Sequence, residues 1–89
     1  MKTIRGLATG RVQGVGFRNF IKHQADLLGV SGYAKNLADE RVEFVLQGDS
    51  DAIINLIQHI NRGPLFSSVK SVSSDDLLTD EIYQNFSIR

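Results

Sequence analysis

Gly10-Arg11-Val12-Gln13-Gly14-Val15-Gly16-Phe17-Arg18 separates an alternating, strand-like N-terminus from an amphipathic segment with helical spacing. Three glycines in seven residues predict that the strand stops and the backbone turns here. Glycine admits positive φ and lets successive peptide N–H groups point into one concavity. At a helix N-terminus such a nest attracts anions. Arg18 falls in the first helical turn, where the helix dipole disfavours a cation, so its place there needs another reason. A forked guanidinium aimed at the same anion supplies one.

Two other glycine loops do not fit. A P-loop has four residues between its glycines and then Lys-Ser/Thr, whereas Gly10 and Gly14 enclose three and no lysine follows. The dinucleotide fingerprint begins at Gly14-Val15-Gly16 but meets Asn19 where its third glycine belongs, and 89 residues leave little room for a doubly wound sheet. For the loop alone, a purely conformational role in a tight strand-to-helix connection stays open.

Before the loop, Ile4, Gly6 and Ala8 alternate within residues 2–9 and predict a first strand. The small Gly6 and Ala8 predict a loosely filled layer or compensation by larger helix residues. After the loop, Phe17, Phe20, Ile21, Ala25 and Leu28 form one apolar face of a helix over 17–28 that Gly29 ends. His23 lies outside that stripe and is expected in solvent, with no role. Val30–Leu37 reads as a second strand on which Gly32, Ala34 and Asn36 share a face. A connection through Asp39-Glu40 leads to a third strand, Arg41–Gln47, where Val42, Phe44 and Leu46 alternate with Glu43, Val45 and Gln47.

A second helix follows Gly48, capped by Asp49 or Ser50, buried through Ile53, Leu56, Ile57 and Ile60, and stopped by Gly63-Pro64. Leu65–Ser73 is expected to be a strand, but Val69 and Val72 are three apart and need a bulge to share a face. Ser74-Asp75-Asp76 and Thr79-Asp80 carry turn chemistry, and Ile82–Ile88 supplies a last short strand.

This order predicts an α+β, ferredoxin-like βαββαβ plan: two helices on one face of a mainly antiparallel sheet, with a short extra C-terminal strand. The first and second strands then run the same way with the third between them, so their C-terminal ends meet at one edge. The glycine loop leaves the first and Asn36 ends the second, separated by two strand spacings, roughly 9 to 10 Å. A phosphate and one water fit that gap. Alone, an asparagine is more often a turn or cap residue; the convergence with the loop favours a role in orienting water.

Composition narrows the function classes. The length predicts one domain over residues 1–89. Without cysteine there is neither a disulfide framework nor a thiolate site, and His23 and His59 lie in different predicted helices, so no zinc site is expected. No apolar run has the length of a signal peptide or membrane span, which makes the cytoplasm the default and a membrane partner unexpected. Residues 1–48 carry seven Lys/Arg against four Asp/Glu, and residues 49–89 three against six. That asymmetry helps draw in a small anion but does not make a nucleic-acid surface. The first strand also lacks aromatics and the third has only Phe44, so no base-stacking platform is expected.

Val12-Gln13-Gly14-Val15-Gly16-Phe17-Arg18 resembles the first signature of the acylphosphatases, and Gly32-Tyr33-Ala34-Lys35-Asn36 resembles the second. Both stand in the family's order and spacing, and Phe86-Ser87-Ile88-Arg89 closes the chain in a family-like way. The resemblance implies a small monomeric enzyme, free of metal and cofactor, that hydrolyses the carboxyl-phosphate bond of acyl phosphates. Arg18 would bind phosphate together with the N–H groups of Gln13, Gly14, Val15, Gly16 and Phe17, and Asn36 would position water. A domain that only binds phosphate or carboxylate is the alternative, separated by turnover of a simple acyl phosphate. Glu40 stands where the family usually has glycine. The connection beside Asn36 is therefore expected to be strained, longer or of another type than a two-residue Asp-Gly turn.

Overall fold

The computed structural model describes residues 1–89. Its elements are β1 (Lys2–Arg11), α1 (Phe17–Leu28), β2 (Ser31–Asn36), β3 (Val42–Gly48), α2 (Ser50–Arg62), β4 (Ser68–Asp76) and β5 (Phe86–Ile88). The strands form one sheet in the order β4-β1-β3-β2-β5. All neighbours are antiparallel except β2 and β5. The ferredoxin-like plan and the parallel β1 and β2 flanking β3 are as the sequence predicts.

Both helices cover one face. Phe17, Ile21 and Ala25 of α1 and Ile53, Leu56 and Ile60 of α2 are buried in the same cluster as Ile4, Ala8, Ala34, Val42, Phe44 and Leu46 of the sheet. Each large side chain in that layer contributes about 1.5 to 3 kcal/mol by leaving water. The expected loose layer at Gly6 is filled, though by a strand rather than a helix: Phe44 pairs with Gly6 across β1 and β3, and its ring occupies the space a Cβ would need.

β3 is buried on its other face too, which simple alternation does not foretell. Residues 77–85, expected to be partly strand from Ile82, instead run as an irregular strap over the helix-free face. Gln47 holds it, donating from Nε2 to the Glu81 carbonyl at 2.8 Å and accepting from the Tyr83 N–H at 2.8 Å. The strap carries the chain from β4 to β5 at the opposite edge, leaving only Phe86–Ile88 to pair.

Three other boundaries move. β1 continues through Gly10 and Arg11, because both pair with β4 and only residues 12–16 form the turn. β4 begins at Ser68 rather than Leu65, since Pro64–Ser67 is a closed β-turn in which the Pro64 carbonyl accepts from the Ser67 N–H at 3.0 Å and hydroxyl at 2.7 Å. β4 extends through Ser74-Asp75-Asp76, where pairing with β1 at an exposed edge overrides turn chemistry. The expected bulge is present: Thr9 pairs with Ser71 and Gly10 with Val69, so Lys70 is the extra residue and both Val69 and Val72 reach the core.

Candidate active site

The turn from β1 to α1 is anchored by buried Val12 and Phe17. Between them Gly14 and Gly16 adopt φ of 73° and 76°, in the left-handed region that glycine enters without steric cost. The first helical bond runs from the Phe20 N–H to the Gly16 carbonyl at 3.0 Å. None of the N–H groups of residues 13–19 donates to another protein group. No acidic side chain occupies the first turn of α1, so the positive end of its dipole is unneutralised from within. A Cβ on Gly14 or Gly16 would meet no protein atom within 4 Å, so the loop faces open space.

The Gln13 side chain joins this loop to the β2–β3 hairpin. Its Nε2 donates to the Leu37 carbonyl at 2.8 Å and the Arg41 carbonyl at 3.0 Å. Arg18 is tied from another direction: Nη1 donates to the main-chain oxygen of Arg89 at 2.8 Å, and the Arg89 N–H donates to the Ala34 carbonyl at 2.8 Å. One guanidinium donor is thereby spent on orientation, and the fork keeps others. Asn36 lies between these tethers, next to Leu37 and two residues beyond Ala34. It pairs with Val42 at the end of β2, on the helix side, and its Oδ1 is buried without a hydrogen-bond partner. An unpaired buried amide oxygen costs about 1 to 3 kcal/mol, so it is a strong acceptor for any donor that reaches it. The glycine loop, Arg18 and Asn36 thus gather at one end of the sheet.

The hairpin takes the longer and strained form. The Leu37 N–H donates to the Arg41 carbonyl at 2.8 Å and the Glu40 N–H to the Leu37 carbonyl at 3.3 Å. This is a three-residue loop whose last member, Glu40, sits at φ 73°. Asp39 clamps it, accepting from the Arg41 N–H at 3.2 Å and Nε at 2.8 Å. The Arg41 side chain accordingly holds the Asp39 carboxyl below its usual range. The strain stays at Glu40, and Asn36 keeps its place in the β2–β3 ladder.

Sequence reasoning missed the support beneath the site. On the helix-free face Glu43 accepts from Arg5 Nε at 2.8 Å and from the Tyr33 hydroxyl at 3.0 Å. The Arg89 guanidinium lies 4.0 Å from the centre of the Tyr33 ring. Burial, and then the Glu43 carboxylate, push the Tyr33 hydroxyl above its usual pKa. These residues are 10 to 56 positions apart in their pairings, so no local pattern announces them; strand register does. His23 is exposed, as expected. No group of three His, Cys, Asp or Glu side chains is arranged to hold a metal ion, and no helix is long and apolar enough to cross a membrane.

The chain is similar to known proteins in sequence and in fold. The chain is 47% identical over 81 residues to an acylphosphatase of Clostridium perfringens, covering 91% of each. The crystal structure of the Bacillus subtilis acylphosphatase superposes with a TM-score of 0.96 at 36% identity, over 100% of this chain and 99% of that one. An acylphosphatase structure from Coxiella burnetii gives 0.94 at 33% identity, over 99% and 92%. The family model for acylphosphatase matches residues 4–88. With fold, chain length and sequence in agreement, the chain belongs to the acylphosphatase family.

Proposed function

We propose that this chain hydrolyses acyl phosphates to carboxylate and inorganic phosphate, with the phosphate held by the N–H groups of Gln13 to Phe17 and by Arg18, and the attacking water oriented by Asn36. The observation that carries this reading is the run of N–H groups from residue 13 onward that have no protein partner, beside a guanidinium held in place from behind.

Phosphoryl transfer from an acyl phosphate has a loose transition state and a carboxylate leaving group, so positioning and charge stabilisation suffice. The loop donors and Arg18 neutralise the equatorial oxygens as the P–O bond to the acyl carbon lengthens. The Asn36 side-chain amide hydrogen-bonds the water and holds its oxygen in line with that bond. Water oxygen bonds to phosphorus, the carboxylate departs with the electron pair, and the water proton passes to a phosphate oxygen.

Steady-state kinetics on Arg18→Ala and Asn36→Ala test the division of roles. Asn36→Ala is expected to lower kcat about 10² to 10³-fold while leaving competitive inhibition by inorganic phosphate nearly intact. Arg18→Ala is expected to weaken phosphate inhibition itself. Circular dichroism and melting curves control for folding. A folded Asn36→Ala with wild-type kcat defeats the assignment, and phosphate binding without any turnover by the wild type would leave a binding domain instead.

A further inference from the structure

Across the loop from Asn36, the turn Pro64–Ser67 presents two large apolar side chains to solvent: Leu65 is 88% exposed and Phe66 75%. The turn is rigid, because Ser67 bonds twice to the Pro64 carbonyl. It is also seated against the glycine loop. Arg11 pairs with Ser68, so the residues preceding Ser68 flank those following Arg11. Gly63 packs so closely that a Cβ there would crowd the Ser67 hydroxyl and lie 3.3 Å from Cε1 of Phe17. The other exposed apolar side chains lie on helix surfaces, at the far end of the sheet or on the β5 side.

In-line displacement fixes where the acyl group goes. Water held by Asn36 attacks from the β2 side, so the leaving carboxylate points the opposite way. The strand order β4-β1-β3-β2 makes that the β4 side, where the Pro64–Ser67 turn stands. We propose that Leu65 and Phe66 form the acyl-group subsite and select acyl phosphates with apolar acyl groups, aryl or branched aliphatic. This rests on the hydrolysis proposed above. A cleft of about 370 Å³ lined by Arg11, Arg41 and Lys70 lies near the same end. It suits an anionic acyl group less well, since Arg41 is already engaged by Asp39 and the carboxylates of Asp39 and Glu40 share the lining.

The test measures kcat and KM for benzoyl phosphate and acetyl phosphate with the wild type, Leu65→Ser, Phe66→Ser and the double variant, each checked by melting temperature. The wild type is expected to prefer benzoyl phosphate, and the double variant to lose about tenfold of that preference through a raised KM. Phe66→Leu should restore most of the loss made by Phe66→Ser. An unchanged ratio of the two kcat/KM values in the double variant overturns the subsite. So does a wild-type preference for succinyl phosphate that Lys70→Ala removes. A wild type inert toward every acyl phosphate fails the hydrolysis itself, and the subsite with it; failure confined to the variants' selectivity fails the subsite alone.

Discussion

The glycine loop and the β2–β3 turn are neighbours joined by Gln13, and both need nearly the same left-handed φ: 73° and 76° at Gly14 and Gly16, and 73° at Glu40. The backbone demand is alike, yet the loop meets it with glycine and the turn with glutamate. The surroundings differ. In the turn, main-chain bonds and the Asp39–Arg41 clamp hold a strained residue that nothing has to approach. In the loop, the N–H groups are unpaired and the space ahead is open. Conformation alone can be satisfied with strain; conformation together with close approach of a ligand calls for a residue without a side chain.

Placing a side chain on the loop separates the two cases most widely. Gly16→Ala should cost about 1 to 2 kcal/mol of stability from its left-handed backbone alone, as it touches nothing. If the loop must also keep a Cβ out of the anion's path and its N–H groups aligned, kcat/KM on an acyl phosphate should fall about 100-fold or more. A stability loss with normal turnover would show that Gly16 is only conformational, like Glu40.

Gln13→Leu probes the join. It deletes two hydrogen bonds while leaving the Leu37 and Arg41 carbonyls one main-chain partner each. The expected loss is about 1 to 1.5 kcal/mol, read as a 5- to 10-fold rise in the inhibition constant for phosphate. Faster amide exchange in residues 13–16 should accompany it. Unchanged phosphate inhibition would mean that the loop holds its shape without the hairpin.

Glu40→Gly gives the smallest effect and the opposite sign. Relieving the left-handed strain, less the greater freedom of glycine in the unfolded chain, should stabilise by about 0.5 to 1 kcal/mol. That is a rise of roughly 2 to 6 °C in Tm, with turnover within twofold of wild type. A falling Tm would show that the turn is unstrained.

The parts of the molecule legible in the sequence are those governed by short-range periodicity. The alternation of Val42, Phe44 and Leu46, the helical stripe from Phe17 to Leu28 and the interrupted spacing of Val69 and Val72 each specified an element, and the last specified its bulge. Gly14 and Gly16 were legible as backbone positions because residue type restricts φ locally, and Glu40 only through the resemblance, as it stands where the family usually has glycine. What the sequence concealed is set by partners far along the chain. Nothing near Gly6 says that Phe44 fills its place. Nothing near Gln47 says that its amide will bind the strap at Glu81 and Tyr83, and nothing near Arg18 names Arg89. Ser74-Asp75-Asp76 misled because turn chemistry is tolerated on an edge strand whose side chains face water.

The Arg18–Arg89 bond has a consequence for the timing of assembly. Its two ends are 71 residues apart, and closing a loop of that length costs entropy that local contacts do not repay. The glycine loop can take its shape once Gln13 has met the β2–β3 hairpin, but the guanidinium acquires its fixed direction only after the strap has crossed the sheet and β5 has docked on β2. During synthesis the chain would therefore hold a shaped anion nest before it holds an aimed arginine. Competence at the site becomes a late signal that the whole sheet has closed.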